Sequence, residues 1–229
     1  MVKSNMDTMR NIFSSPENDV RVRKFLSKES IDYDSLPASV KQKIRVANNV
    51  GLTKKNGEGE YLFSGLMAQL GTKEGFALVN RHIRTNTLQL SFGHCSVFNE
   101  VAISIPKTVV TDDILLAIRM LSAGISAVAV GNTKKYFMEV LDDKKHRLNN
   151  PEYVLAISNP KLERMFENGL NSRRIPYSNL REGTRTSNID SAKFALMKDI
   201  YCKHCVMQPY EMPLFEYSQE EFQNGKKGG

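Results

Sequence analysis

Residues 111–130, TDDILLAIRMLSAGISAVAV, decide how the rest of the chain is read. Thr111-Asp112-Asp113 supplies a capping side chain and first-turn acids for the positive end of a helix. Ile114, Leu115, Ile118 and Leu121 follow at helical spacing, and Gly124 ends the run. Ile125 to Val130 is then a short apolar stretch of strand length. A strand feeding this helix from upstream would make a strand–helix–strand crossover. Thr87-Leu88-Gln89-Leu90-Ser91-Phe92 alternates polar and apolar, and Val97 to Ile105 returns with Val101, Ile103 and Ile105 on one side. With Gly93-His94 as the turn, the two segments predict an antiparallel hairpin with a long loop. Residues 87–131 are thus expected to be the centre of a mixed α+β fold, a small mixed sheet with one short crossover helix.

Outward from that centre both flanks read as helical. Ser15-Pro16-Glu17 is a start signal for a helix whose apolar side is Val22, Phe25 and Leu26. A second helix is expected from Ser35-Leu36-Pro37 to Gly51, with Val40, Ile44 and Ala47 on one face and Lys41, Lys43 and Arg45 elsewhere. A third is expected over Glu60–Leu70, burying Leu62, Leu66, Met67 and Leu70 before Gly71. Downstream, Tyr153 to Ile157 suggests one more strand. Asn159-Pro160 opens a helix with Leu162, Met165, Phe166 and Leu170 inward. Residues 171–188 carry no period and many breakers, so they read as a loop. A last helix from Asp190 to Tyr201 is expected to bury Ala192, Ala195, Leu196 and Ile200. The organisation expected is a basic helical region over 1–57, an α+β core over 58–205, and an acidic irregular tail over 206–229.

Composition narrows the class. The 229 residues are 41% hydrophobic and 25% charged, values that argue against wholesale disorder. A chain of this length buries roughly 70% of its unfolded surface, so it needs neither metal nor disulfide merely to fold. No window approaches the ~18 apolar residues of a membrane span, and MVKSNMDTMRNIF lacks the apolar stretch of a secretory signal. Three cysteines are an odd number and favour a reducing compartment. An intracellular protein, cytoplasmic or nuclear, is the expectation.

The net charge of +7 is unevenly placed. Between Val20 and Lys55 nine Lys/Arg face three acids, a local +6. The 172–187 loop holds four arginines against Glu182, and 206–224 holds four glutamates without a Lys or Arg. Such asymmetry predicts a polyanion-binding body. The candidate phosphate contacts are Arg21, Arg23, Lys24, Lys41, Lys43, Arg45, Lys134, Lys135, Arg173, Arg174, Arg181 and Arg185. Tyr177 stands among the loop arginines as a stacking group. Arginine's planar fork suits phosphate, which favours RNA over an anionic membrane as partner. The bland alternative is that these cations only solvate helix faces.

Catalytic patterns are sparse. No G-x-S-x-G, H-E-x-x-H or G-x-G-x-x-G occurs, and Gly131-Asn132-Thr133-Lys134-Lys135 lacks the spacing of a P-loop. Cys202-Lys203-His204-Cys205 is the sharpest local feature, since two cysteines three apart can grip one zinc ion. Cys95, with His94, His82 or His204, would complete a structural site. A redox role fits less well, because the pair follows a helix rather than opening one. The function expected is a non-enzymatic basic structural or assembly protein of viral matrix, nucleocapsid or movement-protein type. It would bind RNA or another polyanion without sequence preference, as a homo-oligomer. The alternatives are a membrane-associating matrix protein, a zinc-stapled interaction domain and a small enzyme acting on a phosphate substrate.

Overall fold

A computed structural model describes residues 5–14, 19–53, 60–71, 75–79, 91–93, 97–130, 135–144, 151–185 and 188–206. It shows the α+β class, with seven α-helices and two sheets among the described residues. The crossover read from residues 111–130 is present. β6 (Thr108–Thr111) leads into α4 (Ile114–Ser122), which returns as β7 (Ala127–Val130) parallel to β6.

Two further crossovers follow, so the sheet has three rather than the one expected. α5 (Lys135–Lys144) joins β7 to β8 (Tyr153–Ala156), and α6 (Pro160–Asn171) joins β8 to β9 (Tyr177–Asn179). The six-stranded order is β10-β9-β8-β6-β7-β5, with β9, β8, β6 and β7 parallel. β5 (Val97–Phe98) and β10 (Thr184–Arg185) are antiparallel edges. The chain steps from β6 to β7, jumps back over β6 to β8, and continues to β9. Because such crossovers are right-handed, reversing direction moves the helices to the opposite face. Packing agrees with this. Phe137 of α5 meets Tyr153 and Phe166 edge-on at 5.5 and 5.2 Å, while α4 packs against α7 (Ser191–Val206).

The first sheet overturns two helix expectations. α1 (Asn5–Ser14) and α2 (Asp19–Lys28) are helical, but the helix expected to Gly51 shrinks to α3 (Ala38–Lys41), followed by β1 (Ile44–Thr53). Glu60–Leu70, also expected as a helix, is β2. β1, β2, β3 (Gly75–Val79) and β4 (Ser91–Gly93) form an antiparallel sheet in that order. Both of its faces are covered. Leu66, Ala68, Leu70, Ala77 and Val79 join the main core with the second sheet, while Phe63, Met67, Phe76 and Leu78 lie with Met9 of α1 in a smaller cluster. A bulge at Asn48-Asn49 holds Asn49 at φ 51°, a left-handed conformation asparagine tolerates, and the Asn49 amide donates to Ser64 Oγ at 2.9 Å.

The hairpin expected over 87–105 is not formed. β4 pairs with β3 and β5 with β7, in different sheets, and Glu100–Ser104 is a 3-10 turn; residues 87–90 and 94–96 lie outside the described residues. The 171–188 loop contains β9 and β10. α7 buries Phe194, Met197, Tyr201 and His204, whereas Ala192, Ala195 and Leu196 are exposed. Among the described residues no helix is long and apolar enough to cross a membrane.

Candidate functional site

The N-terminal cations are brought together in part. α2 buries Val22 and Leu26, which leaves Arg21 and Lys24 exposed on its other side. Arg23 turns toward the α2–α3 connection, where its guanidinium lies 4.8 Å from the centre of the Tyr33 ring and pairs with Asp34. Lys41 of α3 places its Nζ 5.1 Å from the same ring and donates to the Asp34 carbonyl at 3.0 Å. Tyr33 is fixed beneath them, buried, its hydroxyl donating to Asp19 at 2.6 Å. Asp32 organises the turn by accepting from the Ser35 hydroxyl and the Asp34 amide, which together hold its carboxyl below the usual carboxylate range. Two segments of the chain thus bring Arg23 and Lys41 over one ring, while Arg21 and Lys24 stand exposed elsewhere on α2.

The neighbouring cations serve the fold. Arg45 is only 8% exposed; its Nη1 donates to the carbonyls of Ile44 and Gln42 at 2.9 and 3.2 Å, and its guanidinium lies over Phe13. Lys43 donates to the Gly71 carbonyl at 3.2 Å and ties the start of β1 to the end of β2. In the 172–187 segment Arg173 grips Asp142 with Nε and Nη2, at 2.7 and 2.5 Å. Arg181 pairs with Glu163, whose side chain is 2% exposed. Arg185 donates to Ser191 Oγ at 2.6 Å, Arg174 is exposed, and Tyr177 packs on the core with its hydroxyl accepting from Asn171. Lys134 and the side chain of Lys135 lie outside the described residues.

The cysteine motif is split by the helix that carries it. Cys202 and Cys205 are exposed free thiols, whereas His204 between them turns inward, its Nε2 3.0 Å from Asp113 Oδ2. Burial pushes the Cys205 thiol up. Among the described residues no three His, Cys, Asp or Glu side chains gather as a metal site requires. Cys95, His94 and His82 fall outside the described residues.

A polar cluster that sequence reading missed lies at the carboxyl edge of the second sheet, between β6 and β8, where the direction of winding reverses. In open sheets of this kind that point is the usual ligand crevice. Here Asp112 accepts from the Ser158 amide at 2.9 Å, the Ser158 hydroxyl at 2.7 Å and the Asn159 amide at 3.1 Å. Burial nevertheless pushes its carboxyl up, outweighing those donors. Asp113 caps α4 by accepting from the amides of Leu115 and Leu116, and Asn159 caps α6 by accepting from those of Lys161 and Leu162. Glu163 also accepts from Asn179 at 2.8 Å. No family, no curated protein and no solved structure is similar enough to lend it a function. Function has to be read from these two places, the basic α2–α3 corner and the acid-filled carboxyl edge. Thr111-Asp112-Asp113 and Asn159-Pro160 were visible as caps; their adjacency depends on β8 returning beside β6, which no local pattern announces.

Proposed function

We propose that the protein is a non-enzymatic binder of polyanions, RNA foremost, acting as an assembly protein in many copies. The observation that carries this reading is the convergence of Arg23 and Lys41 on the Tyr33 ring, with Arg21 and Lys24 also exposed on α2. Cations from two segments on a rigid corner suit successive phosphates better than cations scattered over solvated helices. Each is a backbone contact, so little sequence preference is expected. Avidity from several copies would supply useful affinity.

The test is binding of a labelled single-stranded RNA across a salt series. For single strands each phosphate contact contributes about 0.7 to the slope of log affinity against log salt. Replacing Arg21, Lys24 and Lys41 by alanine should lower the slope by about 2, so a fourfold rise in salt weakens the variant roughly 18-fold less than the parent. Absence of binding by the parent at low salt, or an unchanged slope in the variant, removes the proposal.

One observation favours a second reading. Val20 is 78% exposed beside Arg21 and Lys24, as an apolar residue entering an anionic headgroup layer would be. Competition by anionic vesicles that exceeds competition by RNA would select a membrane surface instead.

A further inference from the structure

The last described turn of α7 carries two thiols that neither reading uses. We propose that Cys202 and Cys205 close a reversible disulfide within the chain, and that closing it draws His204 away from Asp113.

Both thiols are exposed and free. Three residues apart on a regular helix, their Cα atoms are roughly 5 Å apart, inside the range disulfides span. Their Cβ atoms are about 5–6 Å apart on an undistorted helix, while a disulfide needs about 3.5–4.5 Å. Closure therefore requires the turn to tighten. Both cysteines lie in the last described turn of α7, which runs from Ser191 to Val206. His204 sits between the two cysteines and moves with that turn. Its Nδ1 is buried without a hydrogen-bond partner among the described residues, so the Nε2 contact with Asp113 is the polar tie that seats the ring. Asp113 in turn caps α4. A change at the exposed thiols thus reaches the carboxyl edge of the second sheet through one side chain.

A small-molecule disulfide such as glutathione disulfide supplies the oxidising equivalent. The Cys202 thiolate attacks one sulfur of that disulfide, its S–S bond breaks, and one glutathione thiolate leaves. The Cys205 thiolate then attacks the Cys202 sulfur of the mixed disulfide and expels the second glutathione. Two protein thiols are oxidised, one disulfide is reduced to two thiols, and the two cysteine protons pass to the glutathione thiolates or to solvent. Partial burial disfavours the Cys205 thiolate, so the pair fits a slow, reversible modification rather than a catalytic dithiol.

The full-length protein, with a chelator present throughout, is equilibrated over a series of glutathione redox ratios, alkylated and mapped by mass. The expected product is an internal Cys202–Cys205 disulfide, two hydrogens lighter and reversed by dithiothreitol. Cys95→Ser should still form it, whereas Cys202→Ser and Cys205→Ser should stop at a glutathione adduct on the remaining thiol. In the oxidised protein, amide exchange at Leu115 and Leu116 should accelerate roughly fivefold, as loss of one hydrogen bond's net worth allows. His204→Ala should show that acceleration while reduced and gain none on oxidation. Glutathione adducts on both cysteines without ring closure, a disulfide to Cys95, or unchanged exchange at Leu115 and Leu116 would each overturn the proposal.

Discussion

Arg181→Ala separates a structural cation from a ligand-binding one. Sequence reading places Arg181 among the phosphate contacts, but in the structure it faces Glu163, which is 2% exposed and, among the described residues, accepts otherwise from the Asn179 side-chain amide at 2.8 Å. Removing the arginine leaves a buried carboxylate with one good donor. Breaking a fully buried pair costs about 3–5 kcal/mol. Arg181 is 39% exposed, so water entering its vacated place should reduce the loss to about 2–3 kcal/mol. For a chain of this size that is a fall in Tm of roughly 4–12 °C. Adding Glu163→Gln removes the stranded charge, and the double variant should recover most of the loss. Thermal and urea unfolding measure the stability, and RNA polarisation at one salt concentration measures binding. A variant as stable as the parent with RNA affinity lost would refute the reasoning and return Arg181 to the contact set.

Other outcomes follow from the same geometry. Asp113→Ala removes the α4 cap and strands His204, a loss of about 2–4 kcal/mol, while Asp113→Asn keeps a capping oxygen and should cost less than half as much on urea unfolding. Asp112 should titrate above the ~3.9 of a free aspartate when followed by carbon NMR; its contribution to stability is then greatest below that pH and falls away as pH rises through the raised midpoint. A midpoint at or below 3.9 would show that the donors from Ser158 and Asn159 outweigh burial. Gly124→Ala meets no atom within 4 Å but must hold φ 72°, so it should cost about 1–2 kcal/mol, with Gly124→Asn milder.

The crossover was legible because every local signal in 111–130 agrees: cap, stripe, stop and apolar strand. β2 was illegible for a physical reason. Leu66 and Leu70 face the main core while Phe63 and Met67 lie under α1, so the strand is apolar on both sides and shows no period of two. Leu62, Leu66, Met67 and Leu70 then mimic a helical stripe by spacing alone, and Leu62 is in fact exposed. β1 deceives through its bulge. Ile44 joins the main cluster and Ala47 the smaller one, yet three residues apart they look like one helix face. In α7 apolar residues occur on every side, so existence and length were readable but the buried face was not. The site divides similarly. Positive charge near α2 was countable, whereas the neutralising partners of Arg173 and Arg181, Asp142 and Glu163, lie 31 and 18 residues away.

That division bears on where an anion can bind. A sheet wound to both sides ordinarily offers backbone amides at its carboxyl edge to a phosphate. Here those of Ser158 and Asn159 already bond Asp112, those of Leu115 and Leu116 bond Asp113, and those of Lys161 and Leu162 bond Asn159. An incoming phosphate would have to displace a side-chain oxygen at each, and would meet two carboxylates as it did so. Protonating Asp112 is the one step that eases this, and burial, which raises its carboxyl above the free value, moves that step to higher pH. At the α2–α3 corner the balance is opposite. Asp34 is an exposed acid paired with Arg23, and a phosphate can take its place without uncovering a buried charge. Polyanion binding at neutral pH is accordingly expected to depend on Arg21, Arg23, Lys24 and Lys41 and to be indifferent to Ser158, whose hydroxyl serves Asp112 alone among the described contacts.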